Sequence, residues 1–157
     1  MTLNERDSQY LWHPYTQHKT AALPIAIKKG EGALLWDENN KEYIDAIASW
    51  WVNPYGHSNT FIADAIYKQL TTLEHVLFGG FTHEPAIILA EKLMEILPKN
   101  QQKLFFSDNG STAVEVGIKV ALQYFFNQGE KKTTIIAFEN AFHGDTFAAM
   151  AASGISF

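Results

Sequence analysis

The stretch of sequence that decides the fold is KLFFSDNGSTAVEVGIKVALQYFF, residues 103–126. A short apolar run at 104–106 is followed by the polar cluster SDNGST at 107–112. Apolar residues then recur at helical spacing from Ala113 to Phe126. This order predicts a strand, a tight turn and a helix.

The turn at the start of this helix has the properties of an anion site. Gly110 can take backbone conformations closed to other residues and lets a ligand come close. Ser111 and Thr112 add hydroxyls and backbone N–H groups that have no partner inside the helix. Because a helix N-terminus carries a partial positive charge, we predict a phosphate site there. The same residue types also form an ordinary helix cap, and that alternative stays open.

The composition excludes several classes of protein. Apolar residues make up 46% and charged residues 18% of the 157 residues, which is typical of a globular domain. A net charge of −5 without a long basic cluster argues against binding to nucleic acid or to an anionic membrane. The absence of cysteine excludes disulfides, thiolate catalysis and Cys-bound metal. Residues 1–10 lack the build of a signal peptide, and no apolar run is long enough to cross a membrane, so we expect a cytoplasmic protein.

The first third of the chain predicts an irregular arm and a small antiparallel unit, together residues 1–57. Three short runs have strand character, at Ile25–Lys29, Ala33–Trp36 and Lys41–Asp45. The aromatic loop that follows, ASWWVNPYGH at 48–57, is suited to line a small-molecule pocket. A hydrophobic plug between elements is the alternative.

The remaining residues, 58–157, predict the first part of a larger α/β domain. One helix follows Ser58 as its cap, and a second runs from Glu84 to Pro98. The β-branched run Thr133–Phe138 predicts a buried strand, followed by a loop and a helix that begins near Thr146. Two successive strand–loop–helix units predict a mainly parallel sheet with flanking helices, in which the two loops meet at one edge. Two parallel strands cannot form a covered sheet alone, so we expect further strands beyond Phe157.

Four motifs, in this order and spacing, carry a resemblance to a known family. The segments SWW, HVLFGGFTHEPA, SDNGSTAVEVGIKVALQY and NAFHGDTFAAM resemble the N-terminal third of class III aminotransferases that depend on pyridoxal phosphate. The resemblance implies fold type I, as in aspartate aminotransferase, and a homodimer. It also implies roles for individual residues. Gly110, Ser111 and Thr112 bind the cofactor phosphate; Phe142 stacks on the pyridine ring beside His143 and Gly144; Tyr15, Trp50 and Trp51 line the substrate pocket; and Asp145 lies near the substrate amine.

Within the family, WHPYT, SWW and HVLFGG are most similar to the members of the biotin pathway. That implies S-adenosylmethionine as amino donor and 8-amino-7-oxononanoate as acceptor. Those members usually have tyrosine where this chain has Phe142, a change that keeps the ring and removes a hydroxyl. Two alternatives stay open, another class III ω-aminotransferase and a non-catalytic phosphate-binding module.

The catalytic groups of transamination are not found among these 157 residues. None of the eleven lysines has the setting of a buried Schiff-base lysine, and Lys119 is predicted to pair with Glu115 one helical turn away. The sole arginine, Arg6, lies in the arm. No histidine pair has metal-site spacing, so no metal is expected. We therefore predict no catalytic residue in this chain, a Schiff-base lysine downstream, and no activity of the 157 residues alone.

Overall fold

A computed structural model describes residues 1–154, which form two compact units, Met1–Phe81 and the residues from Thr82 onward. The first unit contains α1 (Leu3–Tyr10), β1 (Ile27–Glu31), β2 (Leu34–Asp37), β3 (Glu42–Ile44), α2 (Ala48–Trp51) and α3 (Thr60–Leu70). The second contains α4 (Glu84–Ile96), α5 (Gly110–Asn127) and α6 (Phe147–Ala152). The predicted domain boundary after His57 is a different division of the chain and stays a prediction.

The three strands of the first unit form an antiparallel sheet in the order β1-β2-β3, which confirms the predicted antiparallel unit. Asp37, which is buried, organises the turn between β2 and β3. Its Oδ1 accepts the N–H groups of Asn39 at 2.8 Å and Lys41 at 2.9 Å, and its Oδ2 accepts the Tyr43 hydroxyl at 3.1 Å. Burial acts to raise the pKa of Asp37, but these hydrogen bonds outweigh it and hold the pKa below its ordinary value.

A second tie joins the β1–β2 turn to the segment before α3. Gly32 and His57 exchange two backbone hydrogen bonds, of 3.1 and 2.8 Å, and the Ser58 hydroxyl donates to the carbonyl of Gly30 at 2.7 Å. The cap of α3 is Asn59, whose side chain accepts the N–H of Ile62 at 3.1 Å. The prediction of Ser58 as the cap was therefore wrong, because its hydroxyl is committed to the sheet.

The helices of the second unit begin and end where their sequence signals indicate. Helix α4 begins at Glu84 with proline in its first turn and ends at Ile96, before Pro98. Helix α5 begins at Gly110 with a reciprocal cap: Asn109 Oδ1 accepts the N–H of Thr112 at 3.0 Å, and Thr112 Oγ1 accepts the N–H of Asn109 at 3.1 Å. The predicted strand–turn–helix is thus confirmed for its turn and helix.

The predicted parallel strands do not form within residues 1–154. Neither 104–106 nor Thr133–Phe138 is a strand, and the described sheet contains β1, β2 and β3 alone. A strand exists only through the hydrogen bonds of a partner, and the described residues give these two segments none. Ile136 is 95% exposed and Phe138 87% exposed, so the apolar run predicted to be buried lies on the surface.

Apolar faces of the helices are also open. Val120, Tyr124 and Phe126 of α5 are exposed, and no large side chain within residues 1–154 is fully buried. The only fully enclosed apolar side chain in that range is Ala149 of α6. Exposed apolar surface of this extent is typical of surface that another segment or chain covers. Among the described residues, no helix is both long and apolar enough to span a membrane.

Candidate functional site

The two loops predicted to meet in the second unit are in contact. The backbone N–H of Thr146 donates to Ser111 Oγ at 2.9 Å, and the two hydroxyl oxygens are 2.8 Å apart. Ser111 lies in the first turn of α5, and Thr146 is the residue before α6. These bonds fix the end of the 139–146 loop against the N-terminus of α5.

Glu115 extends this contact to α6. Its Oε2 accepts the Thr146 hydroxyl at 3.0 Å and the N–H of Ala149 at 3.1 Å, and its Oε1 accepts the N–H of Ala148 at 3.4 Å. The carboxylate thus caps α6, which has no side-chain cap of its own. Its negative charge stabilises the positive N-terminal end of that helix. The predicted ion pair of Glu115 with Lys119 was wrong, since the carboxylate points to a helix more than thirty residues away along the chain.

The proton positions at this junction follow from the donors and acceptors. The Thr146 hydroxyl donates to the Glu115 carboxylate. The hydroxyl proton of Ser111 then points to Thr146 Oγ1. Ser111 is therefore held through its hydroxyl, and its backbone N–H is left as the group that can bind an anion.

The backbone N–H groups of Gly110 and Ser111 have no hydrogen-bond partner among residues 1–154. No acidic side chain lies in the first turn of α5, and a Cβ built on Gly110 would meet nothing within 4 Å. Two unpaired N–H groups at the start of an 18-residue helix fit a phosphate. We refer to the N–H groups of Gly110 and Ser111 as the cradle. Its geometry suits the phosphate of the predicted cofactor.

Thr112, also predicted to bind phosphate, has its polar groups committed elsewhere. Its N–H donates to Asn109, and its hydroxyl bonds the Asn109 carbonyl at 3.0 Å and the Ser107 hydroxyl at 2.6 Å. Thr112 therefore shapes the turn, whereas the two preceding N–H groups point out of it.

The loop of Phe142 and His143 passes close to the cradle. Gly144 is buried with φ at +132°, and a Cβ built there would overlap the side chain of Ser111. Phe142 is 67% exposed, which leaves its ring accessible for stacking. The N–H of His143 donates to Ser153 Oγ at 2.9 Å, and its buried Nε2 has no hydrogen-bond partner within residues 1–154. Asp145, the fourth predicted residue of this loop, is exposed.

In the first unit, the structure brings two predicted substrate residues together. The rings of Tyr15 and Trp50 meet edge to face, with centroids 5.4 Å apart and planes at 87°. Both rings are exposed, as is the ring of Trp51. The pocket-wall interpretation of this loop stays a prediction.

The turn that carries Trp50 is left-handed. Helix α2 has φ values of 48° at Ala48, 48° at Ser49, 63° at Trp50 and 67° at Trp51. For residues other than glycine this conformation costs about 1–2 kcal/mol each. Four consecutive residues in it require strong local restraint.

Asp45 supplies a restraint that the sequence analysis missed. Its Oδ1 accepts the N–H of Ser49 at 3.0 Å, and its Oδ2 accepts the Ser49 hydroxyl at 2.7 Å and His57 Nε2 at 2.7 Å. The Asp45 side chain is 6% exposed. The N–H and hydroxyl of Ser49, followed by His57, lower the pKa of Asp45 to about 2.

Within residues 1–154, no group of three or more His, Cys, Asp or Glu side chains is placed to hold a metal ion. The structure thus describes two separate features, an anion cradle in the second unit and an aromatic cluster in the first.

The family of the chain is decided by its match to a family model. The model for class-III aminotransferases matches residues 15–156. The chain belongs to the class-III aminotransferase family. Members of this family use pyridoxal phosphate.

Relatives within the class-III aminotransferases share much of this sequence. The adenosylmethionine-8-amino-7-oxononanoate aminotransferase of Synechococcus elongatus is 52% identical over 141 residues, which cover 90% of this chain and 33% of the relative. The enzyme of the same name from Geobacter sulfurreducens is 42% identical over 98% of this chain and 35% of the relative. The chain thus spans about a third of the length of the curated relatives it matches.

Two solved aminotransferase structures superpose closely on the chain. The adenosylmethionine-8-amino-7-oxononanoate aminotransferase of Methanocaldococcus jannaschii has a TM-score of 0.90 at 40% identity, over 96% of this chain and 35% of the other. An ω-transaminase from Pseudomonas jessenii, in complex with PMP, has a TM-score of 0.91 at 35% identity, over 99% of this chain and 35% of the other. The described residues therefore have the fold of the N-terminal part of a class-III aminotransferase.

Proposed function

We propose that the protein transfers the amino group of S-adenosylmethionine to 8-amino-7-oxononanoate, giving 7,8-diaminononanoate in biotin biosynthesis. The observation that carries this proposal is the 52% identity to a relative named for that reaction. The 157 residues contribute the first part of a fold type I enzyme. We infer that 104–106 and Thr133–Phe138 become strands of its mainly parallel sheet when partner segments are present, which accounts for the exposed apolar side chains of Ile136 and Phe138.

The proposed cofactor is pyridoxal phosphate, and the cradle at α5 fits it. The N–H groups of Gly110 and Ser111 bind the phosphate, and their unpaired state supports this role. The hydroxyl of Ser111, tied to Thr146, keeps those N–H groups in position. Phe142 provides a face for stacking on the pyridine ring. Pyridoxal phosphate, when bound, supplies the electron sink that amino-group transfer needs.

The aromatic cluster of the first unit is proposed to contact the substrates. Tyr15 and Trp50 form an edge-to-face pair, and the ring of Trp51, the next residue along the chain, is also exposed. Aromatic side chains of this kind bind adenine and aliphatic chains at low entropic cost. Asp145 is proposed to lie near the substrate amine. The lysine that carries the cofactor and moves protons is proposed to lie outside residues 1–157, so this chain supplies binding and orientation.

A second candidate is an ω-aminotransferase that uses another amine. The TM-score of 0.91 to the Pseudomonas jessenii ω-transaminase supports it as an alternative, because the fold of this region is shared by proteins with both activities. Under either activity we propose a homodimer.

The amino donor distinguishes the candidates. The complete gene product that carries this chain, loaded with pyridoxal phosphate, is assayed for 7,8-diaminononanoate from 8-amino-7-oxononanoate with S-adenosylmethionine or with an aliphatic ω-amine. We expect product with S-adenosylmethionine. Product with the ω-amine alone would support the second candidate. If neither amino donor changed the absorption spectrum of the bound cofactor, only a non-catalytic phosphate-binding module would remain.

A further inference from the structure

The residues that the proposed function does not use include a buried carboxylate and a histidine beneath the aromatic loop. We propose that Asp45 and His57 are positioning residues that clasp the loop between them and set the orientation of Trp50 for substrate selection. The orientation of Trp50 by these residues does not depend on the proposed function, whereas its role in substrate selection rests on that function.

The loop begins and ends on neighbouring residues of the β1–β2 turn. At its start, the N–H of Asp45 donates to the carbonyl of Ala33 at 2.8 Å. At its end, His57 exchanges two backbone hydrogen bonds with Gly32. The side chains of Asp45 and His57 then meet at 2.7 Å, so the segment between them is a closed loop tied at its base.

Packing holds His57 in this place. A Cβ built on Gly30 would come within 2.9 Å of both Cβ and Cγ of His57, so the imidazole lies directly on the backbone of β1. The His57 side chain is 16% exposed. The histidine therefore has little freedom to move away from Asp45.

The hydrogen bonds also define the state of the imidazole. The Asp45 carboxylate accepts, so His57 Nε2 carries the proton of the 2.7 Å bond. His57 Nδ1 lies 3.4 Å from Nδ2 of Asn53, and the amide nitrogen is the donor in that contact. Asn53 belongs to the same loop, and its own N–H donates to the carbonyl of Ala48 at 3.0 Å. The clasp thus reaches the left-handed turn from both sides.

The carboxylate acts on Trp50 through Ser49. Asp45 bonds both the N–H and the hydroxyl of Ser49, the second residue of the left-handed turn. Left-handed conformations of residues other than glycine persist only where the surroundings over-determine them. Trp50 follows Ser49 directly, and its ring meets Tyr15. Loss of the carboxylate should therefore release the turn and move the indole.

The test uses the complete gene product with pyridoxal phosphate bound and tryptophan replaced by 5-fluorotryptophan. The Trp50 resonance in the ¹⁹F NMR spectrum is assigned with Trp50→Phe. Asp45→Asn keeps the shape of the side chain and weakens the hydrogen bonds, while Ser49→Ala removes only the hydroxyl bond. The matched control is Asp37→Asn, which alters a buried aspartate of the first unit whose hydrogen bonds go to Asn39, Lys41 and Tyr43.

We expect Asp45→Asn to shift or broaden the Trp50 resonance and to raise KM for the amino donor by about tenfold or more, with a smaller change in kcat. Ser49→Ala should produce a smaller effect in the same direction and serves as the test if Asp45→Asn does not fold. Asp37→Asn should leave both readouts as in the unaltered protein.

Two outcomes would overturn parts of this proposal, and a third would overturn the proposed function. An unmoved Trp50 resonance in both loop variants contradicts the clasp. A moved resonance with unchanged donor KM contradicts the role in substrate selection. If the unaltered protein does not use S-adenosylmethionine, the proposed function fails, and the ¹⁹F comparison with Asp37→Asn still decides whether the clasp exists.

Discussion

The backbone N–H of Thr146 donates to Ser111 Oγ over 2.9 Å, although 35 residues separate the two in the chain. This bond joins the helix start that presents free N–H groups to the loop that carries Phe142. The hydroxyl of Ser111 is therefore a structural link, and the cradle for an anion is formed by backbone groups.

Replacement of Ser111 by alanine tests this division of roles. Ser111→Ala keeps the backbone N–H groups and loses two hydrogen bonds to Thr146, each worth about 1 kcal/mol. We expect the affinity of the complete gene product for pyridoxal phosphate to fall by roughly tenfold, measured by spectroscopic titration. Ser107→Ala, which removes an exposed hydroxyl bond within the turn, is the control and should change affinity much less. Complete loss of cofactor binding in Ser111→Ala would mean that the hydroxyl itself is indispensable.

Glu115 is expected to stabilise the second unit through α6. Glu115→Gln removes the negative charge at the helix N-terminus and should lower the free energy of unfolding by about 1 kcal/mol. Lys119→Gln should be neutral, because Glu115 points to α6 instead. Denaturant titration of the complete gene product compares the two variants. An equal loss of unfolding free energy in both variants would instead support an ion pair between Glu115 and Lys119.

Local signals account for the elements that the sequence predicted well. Pro85, the reciprocal cap at Asn109 and the turn at Asp37 lie within a few residues of the elements that they begin or join. The hydrogen bonds of the Asn109 cap span three residues, and those of the Asp37 turn span two to six, so both partners lie close together in the sequence. The contact between the 107–112 and 139–145 loops was also predicted, from the order of elements.

The predictions that were wrong share a different cause, which is that the hydrogen-bond partners lie far apart in the sequence. Glu115 caps a helix 31 to 34 residues away, and the Ser58 hydroxyl bonds a carbonyl 28 residues earlier. Neither partner can be identified from local spacing. The left-handed turn at Ala48–Trp51 contains no glycine or asparagine that would have signalled it. Its cause, the clasp of Asp45 and His57, spans 12 residues.

The lowered pKa of Asp45 predicts an acid-sensitive contribution to stability. Its pKa falls from 3.8 to about 2 on folding, so the unfolded chain binds the proton more readily. The stabilisation by the ionised Asp45 carboxylate is therefore present above pH 3.8 and is lost as the pH falls through about 2. The difference in unfolding free energy between the unaltered protein and Asp45→Asn should be constant above about pH 5 and shrink below pH 4. A difference that grows on acidification would contradict the assignment.

Phe142 is expected to support cofactor binding through its ring alone. Phe142→Tyr should leave the affinity for pyridoxal phosphate nearly unchanged, because the stacking face is kept. Phe142→Ala should weaken binding by about 0.5–1.5 kcal/mol, the value of an aromatic stack. Phe147→Ala, an exposed ring on α6, is the control. A tenfold change in Phe142→Tyr, on the order of 1.4 kcal/mol, would show that the hydroxyl position matters.

Two glycines of the second unit should respond in opposite directions to alanine. Gly144 has φ at +132°, and a Cβ there overlaps Ser111, so Gly144→Ala must displace the loop or the helix start. We expect lower stability and loss of pyridoxal phosphate binding, because the Ser111–Thr146 link cannot close. Gly117 lies inside α5 with nothing within 4 Å of a built Cβ, so Gly117→Ala should stabilise the protein by about 0.5–1 kcal/mol. Thermal unfolding and cofactor titration on the complete gene product measure both effects. If the Gly144→Ala and Gly117→Ala variants had equal affinity for pyridoxal phosphate, the close approach of the loop to Ser111 would not be needed for the cradle.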